Sequence, residues 1–233
     1  MEASQNRKTV IYVVATPIGN ADDLTVRAMN VLSQADIIIG EERKVAARFL
    51  KQIGLSKPII EVNEHTSQTE LKDLIHEMIM KPMVYAQISD CGTPSFEDPG
   101  VELVQLADEY QIQVIPVPGV SSLMTLIMVA GIPMKEFYYA GFLSPKKEIR
   151  NKELKSLLDK YHDHSSIVIL DTPYRLHALL DAISSVFSKN TKIILGYKLT
   201  MPEEKILRFT IADRKRICGD LPKGEFVLII QKR

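Results

Sequence analysis

The sequence predicts two tandem α/β domains, the first with a parallel sheet and the second with a mixed sheet. In residues 1–118, short β-branched runs alternate with amphipathic helical patterns, which is typical of a parallel sheet covered on both faces. In residues 119–233, the last three predicted strands are joined by a short link or one brief helix, so part of that sheet should be antiparallel.

The charge balance also changes sign at the segment 116–119. Residues 1–118 carry 10 Lys and Arg against 17 Asp and Glu, and residues 119–233 carry 19 against 12.

The first domain should alternate five strands with helices. After the first strand, Leu24, Ala28 and Val31 lie on one helical face, and Asp22 or Asp23 can cap the start of that helix. Later apolar stripes predict helices through 46–50, 71–78 and 103–107. The predicted strands are residues 9–15, 37–39, 59–62, 84–88 and 114–117.

The second domain begins with a predicted helix over residues 121–130. Its predicted strands are residues 137–140, 167–170, 193–197, 206–210 and 226–230. Two basic stretches, 146–160 and 214–216, lie in this positively charged half. Each is either a solvated face or a surface for RNA phosphates.

Composition excludes several protein classes. With 233 residues, 25% charged and 45% hydrophobic, the chain is neither disordered nor a coiled coil. Its longest apolar run, 123–132, is shorter than the ~18 residues of a membrane span, and its polar start does not resemble a signal peptide. Two distant cysteines, Cys91 and Cys218, favour a reduced cytoplasmic protein.

Glycine and proline cluster in the loops that follow the predicted strands of the first sheet. In open α/β sheets, ligands bind beyond the carboxyl ends of the strands, where such residues let the backbone approach a ligand closely. Neither a P-loop pattern nor G-x-G-x-x-G follows the first strand, which argues against a P-loop hydrolase and an ordinary dinucleotide site. The four loops are residues 16–20, 40–43, 89–94 and 118–122.

Five segments carry a resemblance to a known family. They are VATPIGNADDLTVRA, ISDCGTPSFEDPG, PVPGVSS, GFLSPKK and KGEFVLII, in this order along nearly the whole chain. Together they resemble the tetrapyrrole methylase superfamily, whose members are S-adenosylmethionine-dependent enzymes with a cofactor cleft between two α/β domains. Within it, the chain is similar to enzymes that methylate a ribose 2′-hydroxyl of small-subunit ribosomal RNA. The resemblance implies a cytoplasmic homodimer that acts on ribosomal RNA or the small ribosomal subunit.

The resemblance also implies roles for particular residues. The loops of the first domain would line the cofactor site, two serines would hold the methionine part of the cofactor, and residues of the second domain would lie near its adenine. The implied cofactor-binding residues are Thr16, Pro17, Gly19, Ser89, Asp90, Gly92, Thr93, Ser121, Ser122, Leu170, Asp171 and Gly224.

The segment GEERK departs from the pattern AEDTR that is usual in the rRNA enzymes, and LDTPYR departs from YEAPHR. The chain also ends soon after KGEFVLII, without the C-terminal extension common in those enzymes. We expect Glu41, and next Glu42 or Asp90, to accept the proton of the acceptor hydroxyl. The alternative interpretation is that these acids only cap a helix or lie in its first turn, without a role in catalysis. Because these departures concern the acceptor, two alternatives remain. In one, the acceptor is a tetrapyrrole or another small molecule. In the other, the chain is a non-catalytic module that binds S-adenosylmethionine.

No metal is expected. The one fragment with metal-ligand residue types, 162–164 (His-Asp-His), has too few partners and is typical of a polar turn. Cys91 lies in the fourth-strand loop, but methyl transfer there needs no thiol, so it is interpreted as a small apolar residue.

Overall fold

A computed structural model describes residues 8–160 and 165–231. The chain divides into two compact units, residues 1–121 and 122–233, close to the junction predicted at 116–119. The fragment 162–164 lies outside the described residues. Within the described ranges, no helix combines the length and the apolar character that crossing a bilayer requires.

The first unit is built on a five-stranded parallel sheet. Its strands are β1 (Val10–Val14), β2 (Ile37–Gly40), β3 (Ile59–Glu61), β4 (Val84–Ile88) and β5 (Gln113–Val117), in the spatial order β3-β2-β4-β1-β5. Its helices are α1 (Val26–Gln34), α2 (Arg43–Gln52), α3 (Gln68–Met80) and α4 (Gly100–Glu109). The parallel sheet predicted for this half is confirmed.

Alternation of side chains along the strands gives this sheet two apolar faces. Ile11 of β1 packs in a cluster with α3 and α4, and Val14, on the opposite face of the same strand, packs with α1 and α2. Both faces are therefore covered, and the carboxyl ends of all five strands meet at one edge of the sheet.

The start of α1 differs from the prediction. Thr25, not Asp22 or Asp23, is the N-cap, because its Oγ1 accepts the backbone N–H of Ala28 (3.0 Å). The two aspartates lie in a short 3₁₀ turn, whose Asp22 N–H is accepted by Oδ1 of Asn20 (3.1 Å). A threonine hydroxyl can satisfy an orphan helix donor, although aspartate is on average the slightly better N-cap residue.

The second unit contains a mixed sheet in the order β6-β7-β10-β8-β9. Only β6 and β7 are parallel; β7–β10, β10–β8 and β8–β9 are antiparallel, which confirms the mixed sheet that was predicted. The strands are β6 (Phe137–Phe142), β7 (Ser166–Asp171), β8 (Lys192–Tyr197), β9 (Lys205–Thr210) and β10 (Phe226–Gln231). The helices are α5 (Ser122–Ala130), α6 (Lys147–Lys160), α7 (Leu176–Val186) and α8 (Arg214–Cys218).

One face of this sheet packs against α6 and α7. Leu154 of α6 and Leu179 of α7 are fully buried in a cluster with Ile169 of β7 and Leu228 of β10. Because β10 is antiparallel to β7, its first residue, Phe226, pairs with the last residue of β7, Asp171. The segment before β10 therefore lies beside the carboxyl end of β7.

Candidate functional site

Three loops at the carboxyl edge of the first sheet are joined by hydrogen bonds. The backbone N–H of Thr16, after β1, is donated to the carbonyl oxygen of Gly92, after β4 (2.8 Å). The hydroxyl of Thr16 donates to the carbonyl of Ser89 (3.3 Å), and that of Thr93 donates to the carbonyl of Val120, after β5 (3.3 Å). The order of the strands explains this, because β1 lies between β4 and β5. The structure thus brings Thr16, Ser89, Gly92 and Thr93 together.

Gly92 is the residue on which the close approach of these loops depends. Its φ is +81°, a value that residues with a side chain rarely adopt, and a Cβ there would lie 3.2 Å from Cγ2 of Ile18. Pro17 and Gly19 flank Ile18 in the loop after β1, and Gly19 is exposed. The backbone of this loop therefore lies open to a ligand at one side and packs on the β4 loop at the other.

Ser121 and Ser122 lie at the junction of the two units. Ser121 is the last residue of the first unit, and Ser122 is the first residue of α5. Both side chains are half-buried.

A second group of loops at the same edge forms an acidic cleft. It has a volume of about 360 Å³, and its carboxylate side chains are those of Glu41, Glu42, Glu61, Glu64 and Asp90. Glu41 follows β2 and Asp90 follows β4, two strands that are neighbours in the sheet. The acidic cleft thus contains the three acids that the sequence analysis names as proton acceptors.

Backbone hydrogen bonds fix these carboxylates. Oε1 of Glu41 accepts the N–H of Asp90 (3.3 Å), and Oδ1 of Asp90 accepts the N–H of Glu42 (3.4 Å). Oε2 of Glu61 accepts the N–H of Arg43 (2.9 Å). Glu42 is the N-cap of α2 and Arg43 its first residue, so the carboxylates of Asp90 and Glu61 satisfy orphan donors at the start of that helix. Asp90 is therefore a capping residue as well as a residue of the cleft.

The electrostatics of the cleft single out Glu41. Burial, followed by the charge of Asp98, raises the pKa of Glu41 to about 7, against the lowering effect of the Asp90 N–H. Burial also raises the pKa of Asp90 and of Asp98. A carboxyl group with a pKa near 7 can both accept and release a proton at physiological pH.

Asp98 is a site residue that the sequence analysis did not identify. Its two carboxylate oxygens accept the N–H of Ser95 (2.8 and 2.9 Å), and Oδ1 also accepts the N–H of Gly100 (2.9 Å). It braces a loop in which Ser95 (φ 61°) and Glu97 (φ 65°) are both left-handed. The available signal was an aspartate two residues before a glycine, shortly ahead of the helix predicted through 103–107, which is a pattern of side-chain-to-backbone capping. Asp98, Glu41 and the buried Gln87 line an internal cavity of about 10 Å³.

In the second unit, Asp171 ends β7 with its side chain fully buried. One oxygen, Oδ1, accepts the N–H of Thr172 and the Nε–H of Arg175, both at 2.6 Å. The other, Oδ2, has no hydrogen-bond partner among the described residues. Burial raises the pKa of Asp171, whereas the Thr172 N–H and the Arg175 guanidinium lower it. A buried acceptor with this unused capacity suits a ligand that donates, such as an exocyclic amine.

Leu170 and Gly224 lie near Asp171. Leu170 precedes it on β7 and is half-buried. Gly224 lies two residues before Phe226, the partner of Asp171, and a Cβ there would be 2.7 Å from the Tyr197 ring. The hydroxyl of Tyr197 donates to the carbonyl of Pro222 (2.9 Å), which holds the turn in place.

The basic stretches differ in their pairing. Arg214 binds Asp181 and Arg216 binds Asp213, so both cations have acidic partners. On α6, Lys152 and Lys155 are exposed, and the described residues give neither a salt bridge. Across residues 8–160 and 165–231, no three His, Cys, Asp or Glu side chains are arranged to hold a metal ion.

Comparisons with known proteins agree with this architecture. A family model described as Tetrapyrrole (Corrin/Porphyrin) Methylases matches residues 10–214. The "Ribosomal RNA small subunit methyltransferase I" of Neisseria meningitidis serogroup B is 36% identical over 224 residues, covering 94% of this chain and 75% of its own. The protein of the same name from Leptospira biflexa is 32% identical over 233 residues, covering 99% and 94%.

Two solved structures show the same fold. The uroporphyrin-III-C-methyltransferase of Thermus thermophilus has a TM-score of 0.67 at 18% identity and covers 97% of this chain and 95% of its own. A cobalt precorrin-4 methyltransferase has a TM-score of 0.69, also at 18% identity, and covers 95% and 94%.

Proposed function

This chain belongs to the tetrapyrrole methylase family, and we propose that it methylates a ribose 2′-hydroxyl of small-subunit ribosomal RNA. It is a methyltransferase that uses S-adenosylmethionine, as the family and the named relatives indicate. The relatives' printed name supports small-subunit ribosomal RNA as the acceptor, and the choice of the ribose 2′-hydroxyl rests on the resemblance of the five sequence segments. The solved structures carry tetrapyrrole names, but at 18% identity they show the fold alone and do not favour the tetrapyrrole alternative.

The observation that carries the chemistry is the pKa of about 7 at Glu41. S-adenosylmethionine, when bound, supplies a sulfonium methyl that is electrophilic without a metal. With a pKa of about 7, Glu41 is present in both protonation states around neutral pH, and its ionised form accepts the hydroxyl proton as the oxygen attacks. Asp90 orients Glu41 through its backbone N–H, and Glu42 begins α2 beside them. We therefore assign proton acceptance to Glu41 first, with Glu42 as the second candidate.

We propose that the predicted cofactor-binding residues hold S-adenosylmethionine. Gly92 lets the loops after β1 and β4 approach each other closely, and Thr16, Ser89 and Thr93 are fixed there by hydrogen bonds, which gives the donor an ordered backbone to bind. The free Oδ2 of Asp171 fits the amine of an adenine ring. The remaining proposed contacts are those of Pro17, Gly19, Asp90, Ser121, Ser122, Leu170 and Gly224.

The test is methyl transfer from tritiated S-adenosylmethionine to purified small ribosomal subunits that lack the modification, followed by nucleoside mass spectrometry. We expect one 2′-O-methylated nucleoside in the small-subunit RNA. A methyl group on a base, on a ribosomal protein, or on an added tetrapyrrole instead would contradict the proposal. A parallel reaction with protein-free ribosomal RNA shows whether the RNA must be assembled into the small subunit before it is methylated.

We further propose a cytoplasmic homodimer, because ribosomal subunits are its substrate and because α5 exposes an apolar stripe. Met124, Met128 and Val129 are 52%, 82% and 42% exposed. Sedimentation analysis should give twice the monomer mass for the natural sequence, and Met128→Lys should shift it towards the monomer. A monomer at micromolar concentration would refute the dimer and leave the activity untouched.

A further inference from the structure

A groove in the second unit lies beside Asp171 and is separate from the acidic cleft and the glycine-rich loops of the first unit. It occupies about 630 Å³ at the carboxyl ends of β6 and β7, within the usual range of ligand sites. Phe142 and Pro145 line it on the β6 side, and Thr172 and Arg175 line it on the β7 side. Because Phe142 pairs with Leu170 in the parallel ladder, these two strand ends lie next to each other.

Exposed aromatic rings border this groove. Phe142 is 44% exposed at the end of β6, although a β-strand phenylalanine usually packs inward. Tyr174, between two lining residues, is 76% exposed, and Nζ of Lys223 lies 3.5 Å from the centre of its ring. The ammonium group stabilises the ring as a platform and leaves a lysine charge at the edge of the groove.

Three exposed lysines adjoin the groove in sequence or through its aromatic rim. Lys146 and Lys147 are exposed directly after Pro145, and Nζ of Lys223 lies over one face of the Tyr174 ring, which is otherwise largely exposed. Arg175 is neutralised by its ion pair with Asp171. The lining acid, Glu153, uses Oε2 to accept the N–H of Ser144 (2.9 Å). The groove therefore presents aromatic rings and positive charge together, which is the combination that binds unpaired nucleic acid.

The wall between Phe142 and α6 is held rigidly. Arg150 is 5% exposed, and its Nη1 donates to the carbonyl oxygens of Ser144 (3.2 Å) and Pro145 (3.1 Å). Glu153, on the same helix as Arg150, also holds this turn by accepting the N–H of Ser144. A platform that is already ordered loses little entropy when a ligand stacks on it.

We propose that this groove binds an unpaired stretch of the acceptor RNA, with bases stacked on Phe142 and Tyr174 and phosphates near Lys146, Lys147 and Lys223. The proposal rests on RNA being the acceptor, and it adds to that function a site for nucleotides flanking the methylated one. Recognition is by ring faces and backbone charge, so it tolerates different base sequences.

The test measures binding of a fluorescein-labelled, unstructured ten-nucleotide RNA to the full chain by anisotropy. We expect Phe142→Ala and Tyr174→Ala each to weaken binding roughly tenfold, since each change removes a ring on which a base stacks. Phe137→Ala is the matched control, because Phe137 is 39% exposed at the other end of the same strand. Lys223→Gln is compared with Lys189→Gln, an exposed lysine near the start of β8, and only the former should weaken binding.

Binding of S-adenosylhomocysteine, measured by calorimetry, separates the groove from the donor site. The proposal requires that it stay within twofold in all these variants. If Phe142→Ala or Tyr174→Ala abolishes it, the groove belongs to the donor and the proposal is wrong. The proposal is also overturned if both variants bind the RNA as tightly as the natural sequence does. It is overturned too if the variants lose as much affinity for a duplex RNA, or if the groove binds an acidic peptide and not the RNA. If the RNA binds through the groove but small subunits are never methylated, the proposed function fails and the groove stands.

Discussion

At the scale of single residues, the carboxyl group of Glu41 carries the sharpest prediction. Glu41→Gln keeps the shape of the side chain and removes the base, so methyl transfer should fall roughly 10²-fold or more. Binding of S-adenosylhomocysteine, followed by calorimetry, should remain. Glu64→Gln, an exposed acid of the same cleft, is the control and should leave turnover within twofold. Full activity of Glu41→Gln would transfer the role to Glu42 or Asp90.

The same pKa predicts how activity depends on pH. A base must be deprotonated to act, so single-turnover methyl transfer should rise with pH through about 7 and level off above it. The negative charges of Asp98 and Asp90 oppose the ionisation of Glu41, and the carboxylates of Glu42 and Glu61 lie in the same cleft. A profile that is flat between pH 6 and pH 8 with chemistry rate-limiting would contradict the assignment.

Glu41 should also lower the stability of the protein at neutral pH. Its pKa is about 7 in the folded chain and near 4.5 when unfolded, so the folded state holds the proton between these values. The free energy of unfolding therefore falls as pH rises from about 4.5 to about 7. Glu41→Gln should raise the melting temperature at pH 8 and change it less at pH 5, as measured by calorimetry with Glu64→Gln as control. An equal shift at both pH values would argue against the raised pKa.

At the scale of elements, the start of α4 depends on a glycine for steric reasons. Replacing a helical glycine by alanine usually stabilises by about 0.5–1 kcal/mol. A Cβ on Gly100, however, would lie 1.9 Å from Nε2 of the buried Gln87. Gly100→Ala should therefore lower the free energy of unfolding by about 1–3 kcal/mol in urea denaturation.

A double-mutant cycle checks the cause. Gln87→Ala removes the obstructing side chain, so Gly100→Ala should cost less in that background than in the natural sequence. If the two changes are additive, the clash with Gln87 is not what makes alanine unfavourable at this position.

The elements were largely predictable from sequence because their signals are local. Alternating β-branched runs and apolar stripes located the strands and helices, and the short links between β8, β9 and β10 indicated an antiparallel part. The N-cap of α1 was not, because Asn20, Asp22, Asp23 and Thr25 all carry capping side chains within six residues. Choosing among them needs the backbone conformation that tertiary packing imposes.

For the site, sequence identified residues by loop position but not by their interactions. Glu41 and Asp90 are 49 residues apart in the chain, and their hydrogen bond follows from the insertion of β4 beside β2. The effect of Asp98 on Glu41 depends on burial and distance, neither of which is encoded in a short pattern. The boundary of the domains and the roles of the cofactor-binding residues stay predictions.

At the scale of the whole molecule, charge is divided between the two halves of the chain. Residues 119–233 carry the excess of Lys and Arg, whereas the cleft of the first unit is lined by five carboxylates. Affinity for small ribosomal subunits should therefore fall at least tenfold when salt rises from about 50 to about 200 mM, because RNA contacts release counterions. Affinity for S-adenosylhomocysteine, measured in the same buffers, should change less than twofold. An affinity for the acceptor that does not change with salt concentration would instead indicate a small apolar acceptor.

The loop braced by Asp98 has a consequence for how the protein would change under selection. Ser95 and Glu97 hold left-handed conformations that cost free energy for most residues with a side chain, but less for asparagine and least for glycine. A laboratory evolution experiment that selects for heat resistance alone should accumulate Gly or Asn at these two positions. If selection for methyl transfer restores the serine or the glutamate, the strained conformation is kept because activity needs it, and the loop lowers the stability of the protein in favour of catalysis.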